Sequence, residues 1–283
     1  MPRTPVSRGE VALAPARPFL KWAGGKGQLL DQFESLFPGE FNAFHEPFLG
    51  SGAVFFRLRP RRAFLSDANR DLVETFEVVR DDVATLVRAL KRHVYQERHY
   101  YRVRATDPKT LTRVERAARF LYLNRTCFNG LYRVNRSGQF NVPFGRYTNP
   151  VLCPEENLRA ASAALEGVVL ATGPFERVVG RARRGDFVYF DPPYHPLSPT
   201  SSFTAYTRDP FGAEEQTRLR DVALALAHRG CKVMVSNSHC PFIVDLYRRV
   251  GFQIHKVYAT RAINCLASKR GAIAEAAITN YDT

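Results

Sequence analysis

The stretch Asp186-Phe-Val-Tyr-Phe-Asp191-Pro-Pro-Tyr194 joins a short apolar run to a polar end that contains two prolines. An apolar run of this length is typical of a buried strand, and the strands of open α/β folds end where ligands bind. The two prolines restrain the backbone on both sides of the Pro192 carbonyl. The stretch therefore predicts an α/β fold in which a rigid loop presents one carboxylate, one carbonyl and one aromatic ring.

The groups on this loop match a planar nucleobase that carries an amino group. The Asp191 carboxylate and the Pro192 carbonyl can accept the two N–H hydrogens, while the Tyr194 ring stacks on the base. We therefore interpret Asp191, Pro192 and Tyr194 as candidate catalytic residues. The alternative is an ordinary proline-rich turn in which Tyr194 covers the core. His195, which follows directly, is interpreted as a residue at the rim of the site.

Two glycine-containing segments precede this loop in the chain. Phe19-Leu-Lys-Trp-Ala-Gly-Gly-Lys26 combines glycines with a stacking ring and two cations, but it lacks the GxxxxGK[ST] pattern of a phosphate-binding loop. Glu46-Pro-Phe-Leu-Gly-Ser-Gly52 is followed by Asp67, an acid at the end of a predicted strand that can hold a ribose diol. The alternatives are a capping glycine pair for the first segment, and a tight turn with a helix N-cap at Asp67 for the second.

The remaining pattern predicts one α/β domain that a basic helical segment interrupts. Strands are predicted at residues 41–46, 63–67, 168–171, 186–190, 232–236, 253–258 and 272–279. Helices are predicted at residues 53–58, 72–90, 111–123, 175–183, 213–227 and 242–250. Alternating residues around Ser137-Gly138 predict a β-hairpin at 129–144.

The net charge of the chain is concentrated in the middle segment. Lys and Arg total 41 against 27 Asp and Glu, which gives a formal charge of +14. Residues 80–146 alone hold fifteen basic and five acidic residues, and therefore carry +10 of that excess. This concentration predicts a surface that binds nucleic-acid phosphates, and the alternative is a set of solvated helix faces.

Other properties exclude several classes of protein. No apolar stretch approaches the ~20 residues of a membrane span, so we predict no membrane partner. Residues 1–18 are proline-rich without the apolar centre of a signal peptide, and they are predicted to be a disordered leader. The five cysteines are scattered without a CxxC pair, which argues against disulfides or a zinc site and for a reducing cytoplasm.

Together these segments resemble the Dam-like (D12 class) adenine-N6 DNA methyltransferases, whose motifs follow the order FLKWAGGK, EPFxGxG, target-recognition insert and DPPY. Further matching strings are Leu121-Tyr-Leu-Asn-Arg125, Asn129-Gly-Leu131, Phe140-Asn-Val-Pro-Phe-Gly-Arg-Tyr147, Asp191-Pro-Pro-Tyr-His-Pro-Leu-Ser198 and Phe203-Thr-Ala-Tyr206. The resemblance implies a Rossmann-like S-adenosylmethionine-dependent methyltransferase fold with an inserted basic helical and β-hairpin DNA-recognition domain. Residues 19–70 and 155–283 would form the catalytic domain, and residues 71–154 the recognition domain.

The resemblance also implies the cofactor and the chemistry. The methyl donor would be S-adenosyl-L-methionine, no metal would take part, and the target adenine would be flipped out of the duplex to reach Tyr194. The family's cofactor-binding positions fall on Trp22, Lys26, Gly50, Gly52, Asp67, Phe175 and Asp191. Many relatives carry an acid just before the aromatic residue near Phe175, whereas Gly173-Pro174 stands here.

Target recognition is implied to lie in the hairpin and to read GATC. Arg133 falls on the family's guanine-reading arginine, Lys21 on the lysine assigned to the first guanine, and Phe128 on an intercalating aromatic position. The further DNA-binding positions are Arg125, Asn129, Leu131, Asn135, Pro143 and Arg146. The arginines predicted to hold backbone phosphates are Arg88, Arg92, Arg98, Arg102, Arg113, Arg116 and Arg119. The alternative for the apolar members is a small hairpin core.

The resemblance implies an enzyme that methylates adenine N6 in double-stranded DNA, and we expect it in the cytoplasm, associated with the nucleoid. A monomer is expected because the sequence has no heptad pattern and no large exposed apolar stripe. One alternative is a restriction-modification methylase of the same fold with another target sequence. A second alternative is a catalytically inactive DNA-binding homologue. The intact DPPY and cofactor segments argue against it, because a pure binding module has no use for them.

Overall fold

The computed structural model describes residues 14–22, 24, 26–135, 137–196, 211–260 and 272–283, and within them seven strands form one mixed sheet. The strands are β1 (Phe44–Glu46), β2 (Ala63–Asp67), β3 (Val169–Thr172), β4 (Phe187–Phe190), β5 (Lys232–Ser238), β6 (Gln253–Thr260) and β7 (Ala272–Thr279). Their order is β3-β2-β1-β4-β5-β7-β6. Neighbours from β3 to β5 are parallel, whereas β7 runs antiparallel to β5 and β6.

This order gives the sheet a topological switch point between β1 and β4. The chain moves outward from β1 to β2 and β3, and then returns to the other side of β1 to form β4. In open α/β sheets, ligands bind outside the carboxyl ends of the strands at such a point. The predicted α/β, Rossmann-like fold is confirmed, and the switch point locates the candidate site beyond Glu46 and Phe190.

The strand predictions agree with the sheet, with differences at the ends. β2 has the predicted bounds, whereas β1 begins at Phe44 rather than at residue 41. Before the strand, the Asn42 side-chain amide donates a hydrogen bond to the Arg184 carbonyl. β5 continues two residues beyond the prediction, to Ser238. It does so because Asn237 and Ser238 pair with the antiparallel strand β7, and that pairing is not visible in the local sequence.

The helices differ more from the sequence pattern. They are α1 (Leu30–Glu34), α2 (Ala53–Leu58), α3 (Arg70–Asp81), α4 (Val83–Leu90), α5 (Glu97–Ala105), α6 (Arg113–Thr126), α7 (Glu155–Ala164), α8 (Val178–Arg181), α9 (Ala213–His228) and α10 (Pro241–Arg248). The prediction of one helix at residues 72–90 is wrong. Asp82 leaves the helical conformation and its side chain caps α4 by accepting from the Thr85 N–H.

The predicted β-hairpin is present only as isolated antiparallel bridges. These bridges join Cys127 to Phe144 and Val134 to Phe140. Asn135 closes the turn, because its side-chain oxygen accepts from the backbone N–H groups of Ser137 and Gln139. The segment is therefore held by side chains and by its packing rather than by a continuous strand ladder.

Side chains alternate between the two faces of the sheet, and each face has its own hydrophobic cluster. On β4, Phe187 and Tyr189 belong to one cluster, and Val188 and Phe190 belong to the other. The second cluster is covered by α8, α9 and α10. The first cluster extends without interruption into the long connection, which we define as residues 68–168 between β2 and β3 and which contains α3 to α7.

This shared core bears on the predicted domain boundaries. Leu86, Tyr100 and Phe120 of the long connection lie in the same cluster as Phe44 and Leu65 of the sheet. The division into a catalytic part and a recognition domain at residues 71–154 stays a prediction. Any such domains would share a core rather than be joined by exposed linkers.

The structure also bears on the predicted leader at residues 1–18 and on the predicted absence of a membrane span. Of the predicted leader, residues 1–13 lie outside the described residues, and residues 14–18 form neither helix nor strand. Arg17 is held there through its backbone N–H and carbonyl by the Asn157 side chain. Among the described helices, none has the length and apolar character that crossing a membrane requires.

Replacing Phe76 by Ala tests whether the sheet and the long connection fold as one unit. The Phe76 ring is fully buried in the first cluster, 4.7 Å from the ring of Phe19. We expect Phe76→Ala to lower the free energy of unfolding by about 3–5 kcal/mol because it leaves a cavity. Urea unfolding followed by far-UV circular dichroism and by the fluorescence of Trp22, the single tryptophan, should shift as one transition.

The matched control is Phe128→Ala, because the Phe128 side chain is 51% exposed. This variant should change the free energy of unfolding by no more than about 0.5 kcal/mol. Two separate transitions in the wild type, only one of which moves in Phe76→Ala, would show instead that two domains fold independently.

Candidate active site

Three acidic residues meet at the carboxyl edge of the sheet. Glu46 ends β1, Asp67 ends β2, and Asp191 directly follows β4. Because β1 lies between the other two strands, all three carboxylates border the switch point. Sequence reasoning singled out Asp67 and Asp191 as candidate residues, and the structure brings them to the same edge.

Asp191 is held by the first glycine-containing segment and by β5. Its Oδ1 lies 2.7 Å from Lys26 Nζ and accepts a hydrogen bond of 2.8 Å from the Ser236 hydroxyl. Lys26 is only 4% exposed, and its Nζ also donates to the Gly24 carbonyl. The first and last motifs of the sequence therefore meet at one ion pair.

Tyr194 is positioned by two contacts that involve its ring and its hydroxyl. Lys26 Nζ lies 4.5 Å from the ring centroid, and the Tyr194 hydroxyl donates to Glu275 Oε2 at 2.7 Å. Burial and the neighbouring carboxylate of Asp191 raise the pKa of Tyr194 well above its usual value, so the hydroxyl stays a donor. Burial also raises the pKa of Glu275. Sequence reasoning missed Glu275, because nothing in the sequence shows that β7 returns to this edge.

Glu46 is the most deeply buried acid of the site. Glu46 is only 2% exposed, and its Oε2 has no hydrogen-bond partner among the described residues. Burial, reinforced by the charge of Asp191, raises the pKa of Glu46 well above its usual value. Glu46 lines a small pocket together with Trp22, Lys26, Gly50 and Asp191. A buried carboxyl oxygen without a partner is a polar atom still open to a ligand.

The second glycine-containing segment is a tight turn that brings its backbone close to Trp22. Gly50 and Gly52 have φ of +49° and +68°, and a Cβ on Gly50 would come within 2.9 Å of Trp22 Cδ1. The Gly50 N–H donates to Asp67 Oδ2, and the Asn69 N–H donates to Oδ1. These two backbone hydrogen bonds support the interpretation of Asp67 as part of a tight turn. Its binding of a ribose stays a prediction.

The electrostatics of Asp67 reflect two opposing effects. Burial raises its pKa to about 6, against the backbone hydrogen bonds that favour the charged form. Asp67 does not cap α3, as the alternative interpretation proposed. Asn69 is the N-cap, and its side chain accepts from the Leu72 N–H.

Two aromatic residues predicted to bind the cofactor lie on opposite sides of the turn. Trp22 stacks on Tyr132 at 5.6 Å and on Phe120 at 6.3 Å, both from the long connection. Phe175 follows β3 and stacks on Phe48 at 5.3 Å, within the second cluster. Both rings reach the carboxyl edge, and their contact with a cofactor stays a prediction.

The predicted DNA-binding residues divide into exposed and engaged side chains. Phe128, Asn129, Arg133, Pro143 and Arg146 are exposed. The Arg133 guanidinium is oriented by Asn141, because Nε donates to Asn141 Oδ1 at 2.7 Å. These side chains are accessible from solvent, as residues that contact DNA must be.

Other predicted DNA contacts have partners within the fold. Arg125 donates to the carbonyls of Val151 and Phe19. Asn135 uses its amide within the hairpin turn, and Leu131 packs against the first cluster. The contacts of these residues favour a structural role, and their binding of DNA stays a prediction.

Lys21 lies beside the hairpin, with Nζ 3.9 Å from the Tyr147 ring. Burial, with the nearby charge of Arg125, lowers its pKa.

The predicted phosphate-binding arginines divide in the same way. Arg113 and Arg116 form ion pairs with Glu77 and Glu74 on α3, and Arg119 donates to two backbone carbonyls. Arg113 is nevertheless exposed, and the members that are exposed without an acidic partner among the described residues are Arg88, Arg92, Arg98 and Arg102. The phosphate-binding prediction therefore rests mainly on these exposed members.

Several features lie outside the described residues or outside the prediction. Leu197-Ser198 and Phe203-Thr-Ala-Tyr206 are not among the described residues. Ser236 was missed, although polar residues at the end of a predicted strand are a signal that could have identified it. No group of three or more His, Cys, Asp or Glu side chains suited to a metal occurs within the described ranges.

Comparison with known proteins assigns the chain to a class of DNA-modifying enzymes. The sequence model of the D12 class N6 adenine-specific DNA methyltransferases matches residues 22–263, and the chain belongs to this family. A type II methyltransferase of Lactococcus lactis subsp. cremoris is 44% identical over 273 residues, which cover 94% of this chain and 95% of that protein. A type II methyltransferase of Methanocaldococcus jannaschii is 43% identical over 288 residues, covering 94% and 99%. The DNA adenine methylase of Escherichia coli (strain K12) is 36% identical over 264 residues, covering 92% and 93%.

The family confirms the resemblance and gives the class of reaction. A D12 class enzyme is a DNA adenine-N6 methyltransferase, and this class of reaction uses S-adenosylmethionine as its methyl donor. The switch point of the sheet, with Asp191 and Glu46 at its edge, is therefore the candidate active site. The roles of the individual residues are proposals, which the next subsection develops.

Replacing Glu46 by Gln should make the protein relatively more stable as the pH rises. A carboxyl with a raised pKa in the folded state holds its proton more tightly than in the unfolded chain. Wild-type stability is then lost as the pH rises above the unfolded pKa of about 4.3. The difference in free energy of unfolding between Glu46→Gln and wild type should therefore be larger at pH 8 than at pH 5, by urea denaturation.

The control is Glu40→Gln, which removes one carboxylate charge at an exposed position. A difference between Glu46→Gln and wild type that does not vary with pH would contradict the buried, protonated state of Glu46.

Proposed function

We propose that this protein transfers a methyl group to N6 of adenine in GATC sequences of double-stranded DNA, with the adenine flipped out of the duplex. The observation that carries the proposal is the arrangement of Asp191. Its Oδ1 is fixed by Lys26 and Ser236, at the end of a rigid loop on the switch point of the sheet. Such a site can orient an amine without changing its own geometry.

The residues at the site fit S-adenosylmethionine. The positive φ and the absence of a Cβ at Gly50 keep the backbone open beside Trp22. Glu46 offers a buried carboxyl oxygen that has no partner among the described residues and is available to a polar group of the cofactor. When bound, the cofactor supplies an electrophilic methyl group on a positively charged sulfur. The residues proposed to hold it are Trp22, Lys26, Gly50, Gly52, Asp67, Phe175 and Asp191.

The chemistry proposed for the chain's own groups is mainly orientation. Adenine N6 is a poor nucleophile because its lone pair is delocalised into the ring. Lys26 and Ser236 both contact Asp191 through Oδ1, so Oδ2 can accept one N6–H while the Pro192 carbonyl accepts the other. These hydrogen bonds favour a more tetrahedral nitrogen whose lone pair points at the methyl group. After the transfer the methylated nitrogen carries a positive charge and gives one N–H proton to the Asp191 carboxylate, which passes it to water. No base is therefore required beforehand.

Recognition of the target is proposed to use the exposed side of the hairpin. Arg133 donates from Nε to Asn141 Oδ1 and from Nη2 to the Asn141 carbonyl at 3.4 Å. The further N–H groups of the two outer nitrogens are proposed to pair with guanine N7 and O6. The half-exposed Phe128 ring can enter a base step, and such wedging lowers the cost of taking a base out of the stack. Tyr194, held by Glu275, is proposed to receive the flipped adenine.

A second candidate differs only in the sequence that is recognised. The two relatives with 44% and 43% identity are named type II methyltransferases, which favours an enzyme of a restriction-modification system whose target need not be GATC. An inactive DNA-binding homologue is disfavoured, because a binding module does not need the buried contacts of Asp191 with Lys26 and Ser236.

Incubation with unmethylated DNA and S-adenosylmethionine tests the proposal directly. Nucleases that cut GATC only when it is unmethylated should be blocked, and those that require methylation should cut. Asp191→Ala should abolish methylation while DNA affinity stays within a few-fold, because the residue lies in the site and not on the hairpin. Asp245→Ala, an exposed acid on α10, is the matched control and should retain full activity.

Two outcomes would contradict this proposal in different ways. Methyl incorporation at sites other than GATC would identify the restriction-modification alternative. If Asp191→Ala lost its affinity for DNA but still transferred methyl groups, the assignment of Asp191 to the catalytic site would be wrong.

Arg133→Lys should relax the choice of sequence. A lysine cannot form the bidentate pair with guanine, which is worth about 1–3 kcal/mol of discrimination. We expect the ratio of kcat/KM for GATC to that for a substrate with one changed G·C pair to fall by about 10- to 100-fold. Arg92→Ala, at an exposed predicted phosphate contact, should instead weaken all substrates about equally. Unchanged discrimination in Arg133→Lys would exclude Arg133 as the guanine-reading residue.

A further inference from the structure

The loop that follows β4 has few backbone groups with which to hold its position. Pro192 and Pro193 have no N–H, so between Asp191 and Tyr194 the main chain cannot be anchored as a donor. Fixed φ angles make the loop stiff but do not determine where it lies relative to the sheet. Its placement therefore depends on groups that bind its carbonyls and on the residues that follow it.

Two fully buried amide side chains supply these contacts. Gln216, on α9, donates from Nε2 to the Pro193 carbonyl at 2.9 Å, and its Oε1 accepts from Asn237 Nδ2 at 2.9 Å. Asn237, on β5, accepts through Oδ1 from the His195 N–H at 3.1 Å. Both amide residues are 0% exposed. Gln216 and Asn237 thus anchor the C-terminal side of the proline pair, at the Pro193 carbonyl and the His195 N–H, from the interior of the protein.

The direction of every hydrogen bond in this chain of amides is determined. Asn237 Oδ1 faces the backbone N–H groups of His195 and Ser238, which can only donate. Its nitrogen must then face the oxygen of Gln216, and the nitrogen of Gln216 must face the Pro193 carbonyl, which can only accept. A chain with one possible assignment has no alternative flipped state in which the loop could rest.

The neighbours of Asn237 on β5 act on the same loop. Ser236 donates to Asp191 Oδ1, and Ser238 donates from Oγ to the His195 carbonyl at 2.8 Å. Consecutive residues of one buried strand therefore hold the carboxylate and the backbone beyond the prolines. The distance between the Asp191 carboxylate and the Pro192 carbonyl is thereby tied to β5 and α9.

We propose that Gln216 and Asn237 are positioning residues for methyl transfer, which hold the Pro192 carbonyl in register with Asp191. Neither residue touches the reacting atoms. The inference rests on the proposed function, because it assumes that the Asp191 carboxylate and the Pro192 carbonyl bind the target amine. Misplacing one acceptor by a fraction of an ångström to one ångström is sufficient to lower the rate of such a step strongly.

Gln216→Leu tests the proposal by removing both amide contacts at nearly constant volume. The single-turnover rate of methyl transfer should fall about 10- to 100-fold. Affinities for S-adenosylmethionine and for DNA should stay within about twofold, because Gln216 contacts neither. Gln253→Leu is the matched control, since the exposed side chain of Gln253 bonds only to Asp282 among the described residues, and it should transfer at the wild-type rate.

Gln216→Glu provides a readout that a purely structural role would not give. The carboxylate can accept from Asn237 but cannot donate to the Pro193 carbonyl, whereas the protonated acid can. The ratio of the Gln216→Glu rate to the wild-type rate should therefore rise as the pH falls. The corresponding ratio for Gln216→Leu should not vary with pH. If Gln216→Leu does not fold, the pH profile of Gln216→Glu alone decides.

The outcomes separate this inference from the proposed function. A rate within twofold of wild type in Gln216→Leu, or a Gln216→Glu ratio that does not vary with pH, overturns the positioning role. In that case Asp191→Asn would still be inactive if the proposed function holds. A fully active Asp191→Asn would overturn the role proposed for Asp191. A wild-type protein that does not methylate adenine would overturn the proposed function itself, whatever the Gln216 variants do.

Discussion

Lys26 and Asp191 lie far apart in the sequence, and their side chains meet at 2.7 Å at the switch point of the sheet. Burying a lysine in this way costs desolvation energy that a single ion pair does not always repay, and removing one partner costs about 3–5 kcal/mol. Here the Gly24 carbonyl and the Ser236 hydroxyl provide further hydrogen bonds around the pair. The ion pair joins the first segment to the loop after β4. Tyr194 lies against Lys26, and Trp22 and Gly50 line the same pocket as the pair.

The same first segment also contacts the long connection between β2 and β3. The buried side chain of Asn124 on α6 accepts from the Lys21 N–H and donates to the carbonyls of Lys21 and Gly130. One amide therefore joins the residues beside Asp191 to the start of the hairpin that carries Arg133. Because the long connection shares its hydrophobic cluster with the sheet, the basic surface is mounted directly on the catalytic part. Under the proposed function, the concentrated charge would supply salt-dependent affinity for DNA, and the fold would set where the target base meets Asp191.

Local patterns in the sequence predicted much of this arrangement. The strand at 63–67, the turn at Gly50 and the loop after β4 follow from short-range chemistry, since each depends on residues close in the chain. The prediction was wrong at Asp82, where an N-cap divides one apolar helical pattern into two helices. The hairpin was foreseen, but its pairing consists of isolated bridges because side-chain contacts replace a strand ladder. Glu275 and Gln216 carry no local signal, since their meaning depends on β7 and α9 packing against the loop.

By itself, the sequence determined which chemical groups are present and the order of their motifs along the chain. It placed Asp67 and Asp191 at the ends of strands, and its motifs identified the family. Only the tertiary structure decided which side chains hold those groups: Lys26 and Ser236 on Asp191, Glu275 on Tyr194, and Gln216 with Asn237 on the proline loop. It also showed that Arg125 and Arg119 bind carbonyls within the fold rather than standing free. The physical reason is that a hydrogen bond between distant residues depends on packing and burial, which no local pattern of residue types records.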